Sequence, residues 1–173
     1  MYRHMHRGMD FLVYALVDKA VLVAGEPTDP YKSIVQLTFS LGSPEATLGV
    51  GQPCTHLRIR QPNSWGMSKS YSIVSRPDEL GVFRVVIKVY RGGVMSEYFD
   101  SLNINDSIEA CKSKTKIMHP STHVGLIAFG IGITEMLVTA ETLLAQGSEV
   151  TLVHCIRYER EKIFTDEIDA LKA

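Results

Sequence analysis

The chain has 173 residues, 45% of them apolar and 21% charged, and 18 Lys plus Arg stand against 19 Asp plus Glu for a net charge of −1. That length holds one large domain or two small ones with an ordinary core, and the balanced charge excludes the basic field that nucleic acid binding needs. The three cysteines, Cys54, Cys111 and Cys155, form no CxxC pair, which argues against zinc ribbons and iron–sulfur clusters and for a reducing, intracellular compartment.

Residues 1–10 read as a basic N-terminal arm: Arg3, Arg7, His4 and His6 precede Asp10, the first acid. Such an arm reads first as a frayed terminus and second as the remnant of an organelle-targeting segment, so the expected location is intracellular: mitochondrial if the arm is such a remnant, otherwise cytoplasmic. No apolar run approaches the ~20 residues of a membrane span, so no transmembrane segment is expected.

Residues 11–120 read as β. Leu12 to Ala24 alternates loosely, and Ser33 to Phe39 alternates well except that Ile34 and Val35 break phase. Cys54 to Ile59, Ser70 to Val74 and Val82 to Tyr90 follow, separated by turn clusters such as Glu26-Pro27-Thr28-Asp29-Pro30 and Gln61-Pro62-Asn63-Ser64. Short strands punctuated this way predict a small barrel or sandwich.

Residues 121–173 follow another grammar. Val124 to Phe129 is a continuous apolar run, as expected of a parallel strand buried on both faces. Gly130 and Gly132 form a turn, and Thr134 to Gln146 carries Met136, Leu137, Ala140, Leu143 and Leu144 at helical spacing. A strand from Val150 to Ile156 and an amphipathic helix from Glu159 to Lys172, with Ile163, Phe164, Ile168 and Leu171 inward, complete a strand–helix–strand–helix pattern. This is the opening half of a dinucleotide-binding fold. His119 and His123 are four apart, but Pro120 between them argues against a helical ligand pair, and no metal site is expected.

The stretch Lys69 to Ser96 concentrates chemistry. Lys69-Ser70-Tyr71-Ser72, Val86-Ile87-Lys88-Val89-Tyr90 and Arg91-Gly92-Gly93-Val94-Met95-Ser96 supply a cation, an aromatic plane beside a hydroxyl, and a glycine pair opening into a helix from Ser96 to Leu102. Those parts can hold a flavin dinucleotide, since the first N–H groups of a helix lack partners and its dipole favours anions. A plain barrel strand followed by a hairpin and a capped helix would use the same residues.

The order of these motifs resembles the ferredoxin–NADP reductase superfamily, above all its cytochrome-b5 reductase branch, from about Leu16 to Leu171. Leu48-Gly49-Val50-Gly51-Gln52, Ile87 to Tyr90, Gly92 to Tyr98 and Gly130-Ile131-Gly132-Ile133-Thr134 match its elements in sequence. The resemblance implies an antiparallel β-barrel FAD-binding domain followed by a partial Rossmann-like α/β domain. It implies an NAD(P)H-dependent flavin oxidoreductase, with hydride passing from NAD(P)H to FAD and electrons to a one-electron acceptor protein. Tyr71 would lie against the flavin, Ser72 would donate to its redox-active edge, and Lys88 would stand near the incoming nicotinamide. Lys69 takes the place of an arginine on the pyrophosphate, keeping the charge without the planar fork. Val86, Lys88, Tyr90, Gly92, Gly93, Val94, Met95 and Ser96 complete the implied FAD set, with Gly130, Gly132 and Thr134 for the nicotinamide dinucleotide.

Departures from the family pattern carry a second expectation. Glu135 stands where proline is expected, placing a carboxylate at the helix end that a phosphate would use, and Phe129 stands where another glycine is usual. Cys111-Lys112-Ser113-Lys114-Thr115 replaces a Gly-Pro-x-Gly loop. Only two strand–helix units fit after residue 121. Together these predict weak NAD(P)H binding, or a degenerate reductase-like subunit of a larger assembly whose partner covers the open sheet edge.

Overall fold

The structure is a computed structural model that describes residues 10–49, 55–64, 67–76, 78–112 and 121–172. Six strands, β1 (Leu12–Ala24), β2 (Tyr31–Ser40), β3 (His56–Arg60), β4 (Ser68–Ser72), β5 (Val82–Tyr90) and β6 (Ser107–Lys112), form one sheet in the order β4-β3-β6-β1-β2-β5. All its pairings are antiparallel. Just past β4, the Val74 N–H donates to the Arg84 carbonyl of β5 at 3.0 Å, bringing the two end strands together as a barrel requires.

The barrel is filled by alternate residues of its strands, among them Val35, Leu37, Phe39, Leu57, Ile59 and Val85. Phe39 stacks on Phe83 at 5.3 Å. Helix α1 (Val94–Ser101) packs Met95 and Phe99 into the same core.

β2 explains the broken phase at its start. Val35, Leu37 and Phe39 face the barrel interior, while Tyr31 and Ile34 face outward into a second apolar cluster with Val86, Ala128, Ile133 and Ile163. That cluster welds the α/β part, residues 121–172, to the outside of β2 and β5. Both faces of these strands are therefore buried, and strict alternation is not required.

The α/β part contains β7 (His123–Phe129), α2 (Ile133–Ala145), β8 (Glu149–Cys155) and α3 (Thr165–Ala170). β7 and β8 pair in parallel and, among the described residues, are covered by α2 on one face. Here the expectation of a strand buried on both faces fails. Leu126 and Ala128 point under α2, but Ile127 is 61% and Phe129 73% exposed, with Val153 at 47% beside them.

The long final helix also gives way. Glu159–Glu161 is a 3-10 turn, Phe164 adopts a left-handed φ of 62°, and only Thr165–Ala170 is α-helical. The reason lies in the side chains that leave the helical path. Arg160 and Glu161 are ion-paired to the barrel, and Ile163 is buried in the shared apolar cluster. α1 and α2 start one or two residues earlier than the spacing predicts, at Val94 and Ile133, within the usual ambiguity of helix ends.

Candidate functional site

β4 is the terminal strand of its sheet order and, among the described residues, pairs along its length with β3. In the register, Lys69 faces Ile59, Tyr71 faces Leu57 and Ser72 faces His56. Directly opposed residues share a face, so Lys69 and Tyr71 stand on the side of the buried Leu57 and Ile59. Ser72 stands on the other side, with His56. An edge strand can thus offer different groups to a flat ligand from its two faces.

Tyr71 is half-buried, its ring edge-on to Phe99 of α1 at 5.0 Å and 81°. Burial pushes its phenol up to about 12, so the hydroxyl keeps its proton at neutral pH. Lys69 is exposed, with no ion-pair partner among the described residues.

β5 leads into α1 through Gly92, whose φ of +71° is the left-handed region that glycine tolerates. Gly93 has φ −82° and is constrained differently: a Cβ there would lie 2.4 Å from Ser96 Oγ. That hydroxyl accepts from the Tyr90 N–H at 3.1 Å and donates to the Gly93 carbonyl at 3.1 Å. Ser96 therefore braces the turn with its side chain and has only its backbone to offer a ligand. Met95 likewise turns its side chain into the core. The amides of Val94, Met95 and Ser96 open the helix without intrahelical partners. Glu97 bonds the Gly92 N–H at 3.0 Å, and its carboxyl is held below the usual carboxylate range by Lys32 first and by that amide second.

Two residues expected at the cofactor have their side chains engaged within the protein. Val86 is 5% exposed in the apolar cluster beneath the α/β part. Lys88 is not a free cation: its Nζ lies 2.7 Å from Glu161 Oε1, with side chains 10% and 3% exposed, and 4.1 Å above the Tyr31 ring. Burial alone would raise the Glu161 carboxyl, but the Lys88 ammonium more than reverses this, and it sits below the usual range. A companion pair joins Arg160 to Asp29 through 2.7 and 2.8 Å contacts. Asp29, Arg160 and Glu161 were not singled out in the sequence because one lies in a Pro-rich turn and the others in a charge run that reads as a solvated helix face.

The second glycine turn lies across the shared cluster. Gly130–Gly132 forms a 3-10 turn that runs directly into α2. Gly130 has φ +50°, and a Cβ on Gly130 or Gly132 would meet nothing within 4 Å. The turn's surface is open. Thr134 is buried and its hydroxyl donates to the Ile131 carbonyl at 2.9 Å, so it shapes the turn from within. Phe129 projects from the face of β7 opposite α2. Glu135 turns back to the barrel and meets His56 Nε2 at 3.0 Å.

The residues expected in the loop after Lys112 and in the N-terminal arm lie outside the described residues, as do Val50 to Cys54 and His119. No cluster able to hold a metal occurs among the described residues, and none of their helices is long and apolar enough to cross a membrane.

Residues 28–118, which carry β2 to β6 and the α1 turn, match the family model described as the oxidoreductase FAD-binding domain. The chain belongs to that family. Among its relatives is NADH-cytochrome b5 reductase 1 of Dictyostelium discoideum, 35% identical over 142 residues that cover 77% of this chain and 49% of that protein. An NADH-cytochrome b5 reductase-like protein of Arabidopsis thaliana is 29% identical over 143 residues, covering 75% and 43%. The chain spans about half the length of the curated relatives it matches. In fold it is similar to the cytochrome b5 reductase domain of Ulva prolifera nitrate reductase, with a TM-score of 0.72 at 20% identity, covering 94% of this chain and 68% of that one. Ferredoxin-NADP+ reductase from Plasmodium falciparum gives a TM-score of 0.72 at 21% identity, covering 94% and 65%. The fold is that of the ferredoxin–NADP reductase family: an FAD-binding barrel with part of a Rossmann-like unit.

Proposed function

We propose that this chain binds FAD along β4 and the start of α1 and accepts a nicotinamide dinucleotide at the Gly130–Gly132 turn. The observation that carries the reading is the junction of β4 with α1, where Tyr71 touches Phe99 while Lys69 stays exposed beside it, without an ion-pair partner among the described residues. Tyr71 supplies a neutral aromatic wall and Lys69 a cation for phosphate. Ser72 presents a hydroxyl on the opposite face, and the Val94, Met95 and Ser96 amides open α1 beside the Glu97 carboxylate, which Lys32 partly neutralises. Flavin chemistry, when FAD is bound, is acceptance of a hydride and release of single electrons. The protein's part is to bind, orient and exclude water.

Lys88 serves this function from a distance. Paired with Glu161, it fixes the α/β part against the barrel and so sets the separation of the two ligand sites. By analogy with the relatives' names, the electron donor is NADH or NADPH and the acceptor a one-electron protein.

The test is the visible spectrum of the purified chain, before and after reconstitution with FAD. Flavin bands that bleach on anaerobic NADH or NADPH support the reading. A colourless protein that takes up no FAD overturns it.

A second reading is favoured by one observation, the uncovered apolar face of Ile127, Phe129 and Val153. Parallel strands are ordinarily covered on both faces, and a partner protein seated there would make the chain a reductase-like subunit of an assembly. Monodisperse monomer at high concentration, by light scattering, would count against a self-association form of this reading.

A further inference from the structure

The turn at residues 26–30, between β1 and β2, is gripped from two sides. Asp29 is 3% exposed, and both its carboxylate oxygens accept from Arg160 Nη2, at 2.8 and 2.7 Å. One of them also accepts the Glu26 N–H at 2.8 Å. The Asp29 carbonyl accepts instead from Arg91 Nε at 3.0 Å. Arg91 takes two more carbonyls of the turn, Glu26 through its guanidinium at 3.2 Å and Pro30 through its backbone N–H at 3.1 Å. Arg91 directly precedes Gly92 and Gly93, and Lys32, just past the turn, pairs with Glu97 of α1 at 3.0 Å. Asp29 thus joins the glycine turn that opens α1 to Arg160, which lies 131 positions later in the 3-10 turn after β8.

We propose that Arg160, a residue of the α/β part, is a positioning residue for FAD: through Asp29 and Arg91 it holds the turn at Gly92 and Gly93 in place on the barrel. This rests on the reading of the α1 start as the FAD site, which lies within the residues that match the FAD-binding family model. The physical logic is that of a buried charge. Asp29 has Arg160 as its ion-pair partner among the described residues, and a carboxylate stripped of its partner in so shielded a place is strongly unfavourable. Without Arg160 the turn opens to hydrate it, and the Asp29 and Glu26 carbonyls leave Arg91. Gly92, at φ +71° with open space where a side chain would be, has no side-chain packing to replace that hold. The α1 amides then meet a phosphate with part of their order still to be imposed, at an entropic cost.

Fluorescence titration of the flavin-stripped chain with FAD, at a temperature where each variant is folded by circular dichroism, tests this. Arg160→Met should weaken FAD about fivefold, the scale of one lost hydrogen-bonded anchor. Arg91→Met cuts the same path at the surface and leaves no buried charge behind. It should weaken FAD by a similar factor, and the two changes together should do little more than either alone. Adding Asp29→Asn to Arg160→Met should return affinity to within about twofold of wild type, because a neutral amide oxygen can keep the Glu26 N–H without a counter-charge. Ile163→Ala, which loosens the shared apolar cluster from the same segment, should lower the unfolding temperature and leave FAD affinity unchanged. Unchanged affinity in Arg160→Met or Arg91→Met, a loss that Asp29→Asn fails to relieve, or an equal loss in Ile163→Ala overturns the proposal while leaving the FAD site intact. A wild-type chain that takes up no FAD overturns the FAD reading itself, and the proposal with it.

Discussion

Two glycine turns lead into helices in this chain, and they carry glycine for opposite reasons. At Gly93 the protein leaves no room, since a Cβ would lie 2.4 Å from Ser96 Oγ and 3.1 Å from the Tyr90 carbonyl. At Gly130 and Gly132 a Cβ would meet nothing within 4 Å. The first turn is fixed by internal packing and offers its amides at a set place. The second is held by its backbone and by the Thr134 hydroxyl beneath it, and its outer surface faces open space. A glycine pair therefore says little until one asks what occupies the missing side chain's place.

The sharpest way to break this contrast is to fill both places. Gly93→Val should abolish FAD retention, because the added carbons collide with the Ser96 brace and push the α1 amides out of line. The cause is contact rather than backbone strain, as Gly93 has φ −82°. Gly132→Ala should leave folding and FAD content unchanged and weaken NADH and ADP, since its methyl enters only the open space. Absorption of the purified variants and nucleotide titration give both answers. Full flavin occupancy in Gly93→Val would mean that α1 does not hold the phosphate. Lost flavin in Gly132→Ala would mean that the two turns serve one site.

The next effect concerns the joint between the two regions. Glu161→Gln leaves the Lys88 ammonium buried without its counter-charge and should cost about 3 kcal/mol of stability, as removal of one partner of a buried pair generally does. The wild-type joint should also be acid-labile. Arg160 holds the Asp29 carboxyl below its ordinary 3.8, and Lys88 holds that of Glu161 below its ordinary 4.5. Each folded value is depressed, so the stabilisation is fully present above pH 4.5 and is lost as pH falls through the folded values. Thermal unfolding followed from neutral pH downward should show a falling midpoint, with a shallower slope in Glu161→Gln. An equal slope in both would mean that Glu161 contributes nothing to the acid response.

What the sequence made legible follows from where its information is local. The order of strands, the glycine turns and the Tyr71–Ser72 pair are read from neighbours along the chain, and they reappear in the structure close to the expected places. The misreadings are long-range. The pairing of Lys88 with Glu161 was invisible because its partner lies 73 residues away. The segment Glu159 to Lys172 has the apolar spacing of one helix, but three of its side chains are taken by the barrel and the helix breaks at Phe164. The contact of Glu135 with His56 was equally hidden, because nothing in the spacing links the two. Val124 to Phe129 looked doubly buried because composition cannot say whether a second layer is present to cover it.

The smallest predicted effect asks whether the first site is as completely formed as its packing suggests. Lys69 occupies an exposed place on the edge strand, on the same face as Tyr71 and opposite Ile59 in the register. A lysine there grips phosphate as a single charge, whereas a guanidinium can donate two parallel N–H bonds. Lys69→Arg should tighten FAD by about fivefold, a modest gain because an exposed ion contact is screened by solvent and salt. It should do so without altering NADH affinity, since the Gly130–Gly132 turn lies across the shared apolar cluster. Fluorescence titration of FAD at two ionic strengths measures both the gain and its electrostatic origin. Tighter binding that vanishes at high salt places Lys69 at the pyrophosphate. Weaker binding, or a gain indifferent to salt, would mean that Lys69 faces solvent alone and that the α1 amides carry the phosphate by themselves.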